Sequence, residues 1–347
     1  MESCPRLARL SLCALTMDQE AMEALLQLCI ANRLDSLTME CVDSYQYGQT
    51  VQAVVQEWAS LMSTQPLKLE VLKFGSNRGL SISDQIAWAQ RCPQLKVLEL
   101  NVADEHDQVF PTKLLCEALS TTLLEVSHLH LTSNGLAMID LALILSSFGP
   151  GPRIKYFGLG RNGMGAMFKS EVAWPLLDRH MSVLTHLNMG RCSMFWSEAV
   201  QHALATFPHL ISLQAKYLRA NDILGSPNEA DEAICIPPWV CKGLQRLEVH
   251  IDGFHDKPAH WNALVLKQIL TLDSLESLDI RLLQNDSYDA EYRRDTSLDL
   301  RLEAGLSVLA NLTRMRRVFY SPQLQRAGKK ELEWMKSTWP RFGLNST

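Results

Sequence analysis

The sequence predicts an α/β solenoid, an array of about eleven irregular strand–helix repeats whose strands line up in one parallel sheet. Three observations predict it. A short apolar phrase, L-x-x-L-x-L or a near miss, returns about every thirty residues along the chain. Within it the first, fourth and sixth residues are apolar and the others mostly polar, the period-two alternation of a short half-buried strand. Between phrases, apolar residues stand three and four apart, as they do on an amphipathic helix.

The phrase opens as Leu7-Ala8-Arg9-Leu10-Ser11-Leu12 and recurs at Leu34 to Met39, Leu69 to Phe74, Leu95 to Leu100, Val126 to Leu131 and Ile154 to Leu159. It continues at Leu184 to Met189, Leu210 to Ala215, Leu244 to Val249 and Leu275 to Ile280, and a weaker copy spans Met315 to Tyr320. Segments such as Ser83 to Ala89 and Glu198 to Leu204 carry the helical spacing. Three places after the last apolar strand position stand Asn77, Asn134, Asn162 and Cys192, residue types that can hydrogen-bond a turning backbone. The steps Arg91-Cys92-Pro93 and Thr206-Phe207-Pro208 end helices, because proline cannot continue a helix and biases the preceding residue toward extended geometry.

On these residues the chain resembles leucine-rich repeat proteins of the ribonuclease-inhibitor-like, F-box-associated class over nearly its whole length. Its spacing, roughly 26 to 40 residues, is less regular than that of a ribonuclease inhibitor. The tail from Lys329 to Phe342, with Trp334-Met335 and Trp339-Pro340, resembles the last repeat of fungal F-box and leucine-rich-repeat proteins, where such a helix leads into a final strand. The resemblance implies a horseshoe with a parallel concave sheet and one leucine-rich repeat domain over residues 1–347. It also implies an F-box ahead of the repeats, docking on an adaptor of a ubiquitin ligase. No F-box-like segment occurs, so a Skp1-type adaptor is expected only if an F-box precedes this chain. The first strand starts within ten residues of Met1, which predicts a preceding element or a partner covering that end of the core.

Composition narrows the function classes. The net charge is −5 with no basic stripe, which disfavours phosphate-driven nucleic-acid or acidic-membrane binding. No run of eighteen apolar residues occurs and the N-terminus lacks the pattern of a signal peptide. The nine cysteines show neither CxxC spacing nor the paired arrangement that caps extracellular arrays, so reduced core thiols and a cytoplasmic or nuclear location are expected. The sequons at Asn311 and Asn345 then carry no glycan.

Three insertions lengthen single repeats: Val42 to Gln49, Arg219 to Cys241 and Gln284 to Ser297. They read as surface excursions or as part of a binding edge. Catalytic motifs are lacking: no Walker loop, dinucleotide fingerprint, HExxH, GxSxG or kinase set is found. The glycine-rich stretch Gly158 to Gly165 has no lysine at Walker spacing and coincides with a strand and its turn, so it reads as tight backbone. His255 and His260 near Asp252 and Asp256 read as a solvated polar loop, and Cys235 and Cys241 as incidental neighbours. Neither cofactor nor metal is expected.

Strand alternation picks out the surface that matters. Residues three, five and seven of each phrase point away from the core, to the open side. In the middle and C-terminal repeats these are His128, His130, Tyr156, His186, Asn188, Gln214, Lys216, Arg246, Glu248, His250, Asp279, Arg281, Arg317 and Phe319. The open face of a solenoid is its usual binding surface, and aromatic, Arg and His side chains are good anchors. Protonation of its histidines near pH 6 would tune an acidic partner. The chain is therefore expected to be a non-enzymatic protein–protein interaction scaffold, resembling the substrate-recognition repeats of an F-box ubiquitin-ligase adaptor. The alternative is a leucine-rich repeat regulator of an enzyme, of the inhibitor or GTPase-activating type.

Overall fold

A computed structural model describes residues 7–13, 24–25, 27–29, 34–40, 66–75, 81–101, 110–132, 136, 138–160, 170–190, 192, 197–225, 238–255, 257–258, 260–282 and 296–343. The chain divides into two compact units, Met1–His180 and Met181–Thr347.

In the first unit, β1 (Arg9–Cys13), β2 (Ser36–Glu40), β3 (Val71–Phe74), β4 (Val97–Asn101), β5 (His128–Thr132) and β6 (Tyr156–Leu159) pair in sequence order, each parallel to the next. Parallel neighbours require a crossover, which is what the helix between phrases provides. Among the described residues these crossovers hold α1 (Ile82–Ala89), α2 (Thr112–Thr121), α3 (Met138–Ser147) and α4 (Ser170–Asp178). The start of α1 is written in its sequence: Asp84 N donates to Ser81 Oγ and Ser81 N donates to Asp84 Oδ2, both at 3.2 Å, a reciprocal cap. The register aligns Leu37, Leu72, Leu98, Leu129 and Phe157 across β2 to β6. All five are fully buried, so the fourth phrase position forms one continuous apolar seam.

The second unit repeats the scheme with β7 (His186–Asn188), β8 (Ser212–Arg219), β9 (Arg246–Asp252), β10 (Ser277–Asp279) and β11 (Arg317–Phe319), again parallel and in order. Here α5 (Ser197–Thr206), α6 (Ala220–Leu224) and α7 (His260–Leu270) fill crossovers, whereas β10 and β11 are joined through two 3-10 turns, Leu302–Ala304 and Leu306–Asn311. Gly305 separates those turns at φ +108°, and a Cβ there would stand 3.2 Å from the Ala263 side chain, so glycine is needed twice over.

The C-terminal helices α8 (Pro322–Gln325) and α9 (Lys329–Thr338) close the last repeat. Trp334 packs edge-on to Trp339 at 5.5 Å, Phe342 lies 5.6 Å from the same indole, and Trp339 Nε1 donates to Leu309 O at 3.2 Å. Trp339 is 1% exposed, so the tail motif seals the end of the core. Residues 341–343 form a turn, and residues 344–347, into which the expected final strand would run, lie outside the described residues.

Two expectations about the loops change. The Arg219 to Cys241 stretch is not wholly a surface excursion: Arg219 ends β8, α6 follows it, and Trp239 and Cys241 are fully buried. Trp239 Nε1 donates to Gln201 Oε1 at 2.8 Å, which ties the insertion to α5. Likewise Thr296 and Ser297 are buried, with Phe254 N donating to Thr296 O at 3.1 Å. Val42 to Gln49, residues 226–237 and residues 283–295 lie outside the described residues.

Of the four turn positions only Cys192 is described; it is buried and its N–H donates to Met189 O at 3.0 Å. Asn77, Asn134 and Asn162 lie outside the described residues, as do Cys235, Asp256 and Asn345. Cys29, Cys92 and Cys241 are buried among apolar groups, and burial pushes their thiols up to about 11, 12 and 11. Among the described residues no helix is long and apolar enough to cross a membrane. Parallel strands in sequence order, with helices or 3-10 turns in the described crossovers from β3 onward, make this fold an α/β leucine-rich repeat solenoid.

Candidate functional site

From β2 to β10 the fourth and sixth phrase positions are buried, so the intervening ones share the opposite, polar face. In the first unit that face carries a connected cluster. Register places Lys73 opposite Glu99 and Glu99 opposite His130, with Val97, His128 and Tyr156 in the adjacent row. Lys73 Nζ donates to Glu99 Oε1 at 2.7 Å, and His128 Nε2 lies 3.6 Å from that oxygen, an ion-pair distance just beyond a hydrogen bond. Burial alone would push the Glu99 carboxyl up, but His128 and Lys73 outweigh it and hold it at about 2.

His128 stacks on Tyr156, and His130 Nδ1 lies 3.2 Å from the Tyr156 hydroxyl. Gly158 is the strand residue opposite His130. A Cβ on it would stand 2.5 Å from His130 Nδ1, so the glycine makes room for the imidazole and the tight-backbone reading holds at that position.

In the second unit the register forms two rows. His186, Ser212, Arg246, Ser277 and Arg317 are successive partners, and so are Asn188, Gln214, Glu248, Asp279 and Phe319. Gln214 Nε2 donates to Glu248 Oε1 at 2.6 Å. Burial first, and then the Asp279 carboxylate, push Glu248 upward against that hydrogen bond and the arginines nearby. Arg281 grips Asp279 with two bonds, Nε to Oδ1 at 3.0 Å and Nη2 to Oδ2 at 2.6 Å, and lays its guanidinium over the Phe319 ring at 4.8 Å. Over the first row opens a cleft of about 170 Å³.

One predicted face residue is misplaced. His250 is 3% exposed rather than presented to solvent. Its Nδ1 lies 3.2 Å from Ile280 O and its Nε2 3.4 Å from Ser297 Oγ, so residues following β10 and the third insertion cover it. Beside it β8 and β9 break register: they pair as Gln214 with Glu248 but then as Tyr217 with His250, which skips Lys216. Lys216 and His250 are therefore not register partners, and Tyr217 takes the place opposite His250. Arg281 lies just beyond β10 and is exposed.

Five residues of this surface escaped the sequence reading: Lys73, Glu99, Ser212, Ser277 and Tyr217. Lys73 and Glu99 hold the fifth phrase position of earlier repeats, and Ser212 and Ser277 the third position of later ones, so the same offset would have found four of them. Tyr217 had no such signal, because the bulge shifts it out of phase. His255 and His260 are exposed, and among the described residues no group of three or more His, Cys, Asp or Glu side chains is arranged to hold a metal ion.

No protein-family model matches the chain, and no curated protein does. Among solved structures it is similar to the leucine-rich repeat-containing protein LegL7 from Legionella pneumophila, at 13% identity over 96% of this chain and 88% of that one, with a TM-score of 0.44. It is also similar to a structure of a TLR13–ssRNA13 complex, at 13% identity over 88% of this chain and 42% of that one, with a TM-score of 0.41.

Proposed function

We propose that the chain is a non-enzymatic protein–protein interaction scaffold that presents the polar face of its sheet to a protein partner. One observation carries this reading: in each unit the register stacks aromatic, amide and charged side chains, partly exposed, into lateral rows held by their own hydrogen bonds and ring contacts. Rows of this kind are pre-organised, so little side-chain entropy is lost on docking, and Tyr, Arg and Phe are effective anchors.

A finer role, that of the substrate-recognition repeats of a ubiquitin-ligase adaptor in the cytoplasm or nucleus, is supported by the resemblance of the Trp334 to Phe342 tail. A Skp1-type adaptor would join only through an F-box preceding the chain.

The test compares tagged full-length protein, purified from its native cells, with two face variants, His130→Ala and Gln214→Ala, and two helix variants at exposed positions, Lys113→Ala and Lys267→Ala. Quantitative mass spectrometry should find a protein that the helix variants retain and at least one face variant loses several-fold. Equal recovery by all four would place binding elsewhere, and no saturable partner would sink the scaffold reading. A partner set lacking a Skp1-type protein removes the adaptor role alone.

A further inference from the structure

The net charge of −5 conceals an asymmetry. Residues 312–347 hold eight of the 33 Lys and Arg but two of the 38 Asp and Glu, a net charge of +6, and the remaining 311 residues carry −11. Both acids of that segment are engaged. Glu331 is buried and accepts from Gly328 N at 3.0 Å and from Leu302 N at 3.4 Å, and Glu333 lies 3.8 Å from Lys329 Nζ. Of the bases, Arg316 meets Glu276 at 3.3 Å and Arg326 lies 3.9 Å from Asp299. Arg314, Lys330, Lys336 and Arg341 are exposed, and among the described residues their side chains have neither a hydrogen bond nor an ion pair.

Three of these four belong to the turns that lead back toward the sheet. From Leu312 to Met315, and again from Trp339 to Phe342, the last N–H donates to the first carbonyl, at 2.9 Å and 3.0 Å. Arg314 and Arg341 therefore hold the same place in successive turns. Gly343 N donates to Arg316 O at 3.0 Å, which lays the second turn beside the first and sets the two arginines about 5 Å apart at Cα, one strand spacing. Lys336 occupies the last turn of α9, three residues before Trp339. Asp273, in the preceding turn, makes no ion pair with any of them among the described residues. Like charges in adjacent turns repel, and an anion lying across them removes that cost.

We propose that this end of the second unit docks an acidic polypeptide segment of a partner protein, its carboxylates lying across Arg314, Lys336 and Arg341. The surface uses no residue of the polar face, so the inference goes beyond the scaffold reading and adds a second contact of stated chemistry. Range favours a short segment over a membrane or a nucleic acid. Screening confines each charge to about 8 Å at physiological ionic strength, so a few carboxylates lying on the turns meet the local excess of positive charge. A vesicle surface or a long nucleic acid extends over the rest of the chain as well, where the balance is −11. Exposed bases of this kind steer an acidic segment and speed its association.

The probe is a fluorescently labelled hexaglutamate peptide titrated against the full chain. It should bind saturably, and more weakly as chloride is raised. Arg314→Ser and Arg341→Ser, made together, should weaken it about tenfold or more at unchanged melting temperature. Lys113→Ser and Lys267→Ser, made together, remove the same number of charges from exposed positions on α2 and α7 and should leave it unchanged. No saturable binding, or equal weakening by the two pairs, overturns the proposal. Where the arginine pair melts early, Lys336→Gln alone should weaken the peptide several-fold, and full binding by that variant overturns the proposal as well.

Two rival ligands and one further variant separate the alternatives. Vesicles of phosphatidylserine in phosphatidylcholine, and a thymidine oligonucleotide, should bind more weakly than the peptide. Either one binding as tightly, with the same dependence on Arg314 and Arg341, overturns the acidic segment in favour of a membrane or a nucleic acid. Arg246→Gln, on the polar face, should leave the peptide bound; loss there instead places it on that face and overturns the proposal. None of these measurements uses His130→Ala or Gln214→Ala. Failure of the basic end therefore leaves the scaffold reading standing, and partner capture indifferent to both face variants leaves the basic end to be decided by the peptide.

Discussion

The imidazole of His128 lies flat on the phenol ring of Tyr156, with centroids 3.7 Å apart and planes 3° from parallel. Register makes the contact unavoidable, since the two residues are direct partners across β5 and β6. The Tyr156 hydroxyl also meets His130, so one side chain joins two rows of the face.

Tyr156→Phe keeps the stack and removes only the hydroxyl, and it should cost about 1 kcal/mol or less. Tyr156→Leu removes the stack as well and should cost a further 0.5 to 1.5 kcal/mol or so. Urea unfolding of both variants measures the difference; identical midpoints would show that the stacked rings contribute nothing.

Glu99 predicts an acid limb. Its folded pKa of about 2 lies below its unperturbed value of 4.5, so the folded chain refuses a proton that the unfolded chain takes up between those values. Its contribution, at most about 3 kcal/mol, is complete above pH 4.5 and is lost as pH falls toward 2. Glu99→Gln should flatten unfolding midpoints in that window relative to wild type. An unchanged slope would mean that Lys73 and His128 do not hold the carboxylate.

His180 acts in a higher window. It is fully buried, its Nδ1 accepts the Arg153 N–H at 3.0 Å, and its Nε2 has no partner among the described residues. Burial first, then the charges of Arg179 and Arg153, push it down to about 4 from 6.5. The neutral ring is the folded form, so this stability is complete above pH 6.5 and falls away toward pH 4, by up to about 3 kcal/mol. His180→Asn should be less stable at pH 7 yet lose that part of the pH dependence. A proton NMR titration of His180 with a midpoint near 6.5 would contradict the burial argument.

Leu98 and Leu187 occupy the fourth phrase position in the two units and are 0% and 1% exposed. Replacement of either by Ala opens a cavity beneath its strand and should cost about 2 to 5 kcal/mol. Cooperative melting at the wild-type temperature would mean that the register is wrong. A parallel exchange at exposed Leu124, on the turn after α2, should cost far less.

Much of this surface was legible because a strand alternates with period two and the phrase repeats. Offset three alone locates His128, Tyr156, His186, Arg246 and Arg317, and all five sit on the polar face. What was illegible depends on neighbours that are remote in sequence. His250 obeys the alternation but is covered by Ile280 and Ser297, which no local pattern places over it. Trp239, in what reads as a surface excursion, is buried in the core, where Gln201, 38 residues earlier, satisfies its indole N–H.

The repeated phrase is enough to make this chain an array of parallel strand units with one apolar and one polar face. That follows from local periodicity, since burying a repeated leucine phrase leaves few other arrangements open. How the polar positions meet was settled in three dimensions: Glu99 is gripped between Lys73 and His128, β8 slips one residue against β9, and Arg246 and Arg317 meet no carboxylate among the described residues. Those outcomes rest on register and distance between strands some thirty residues apart, and side chains so separated in the chain interact only once the sheet has formed.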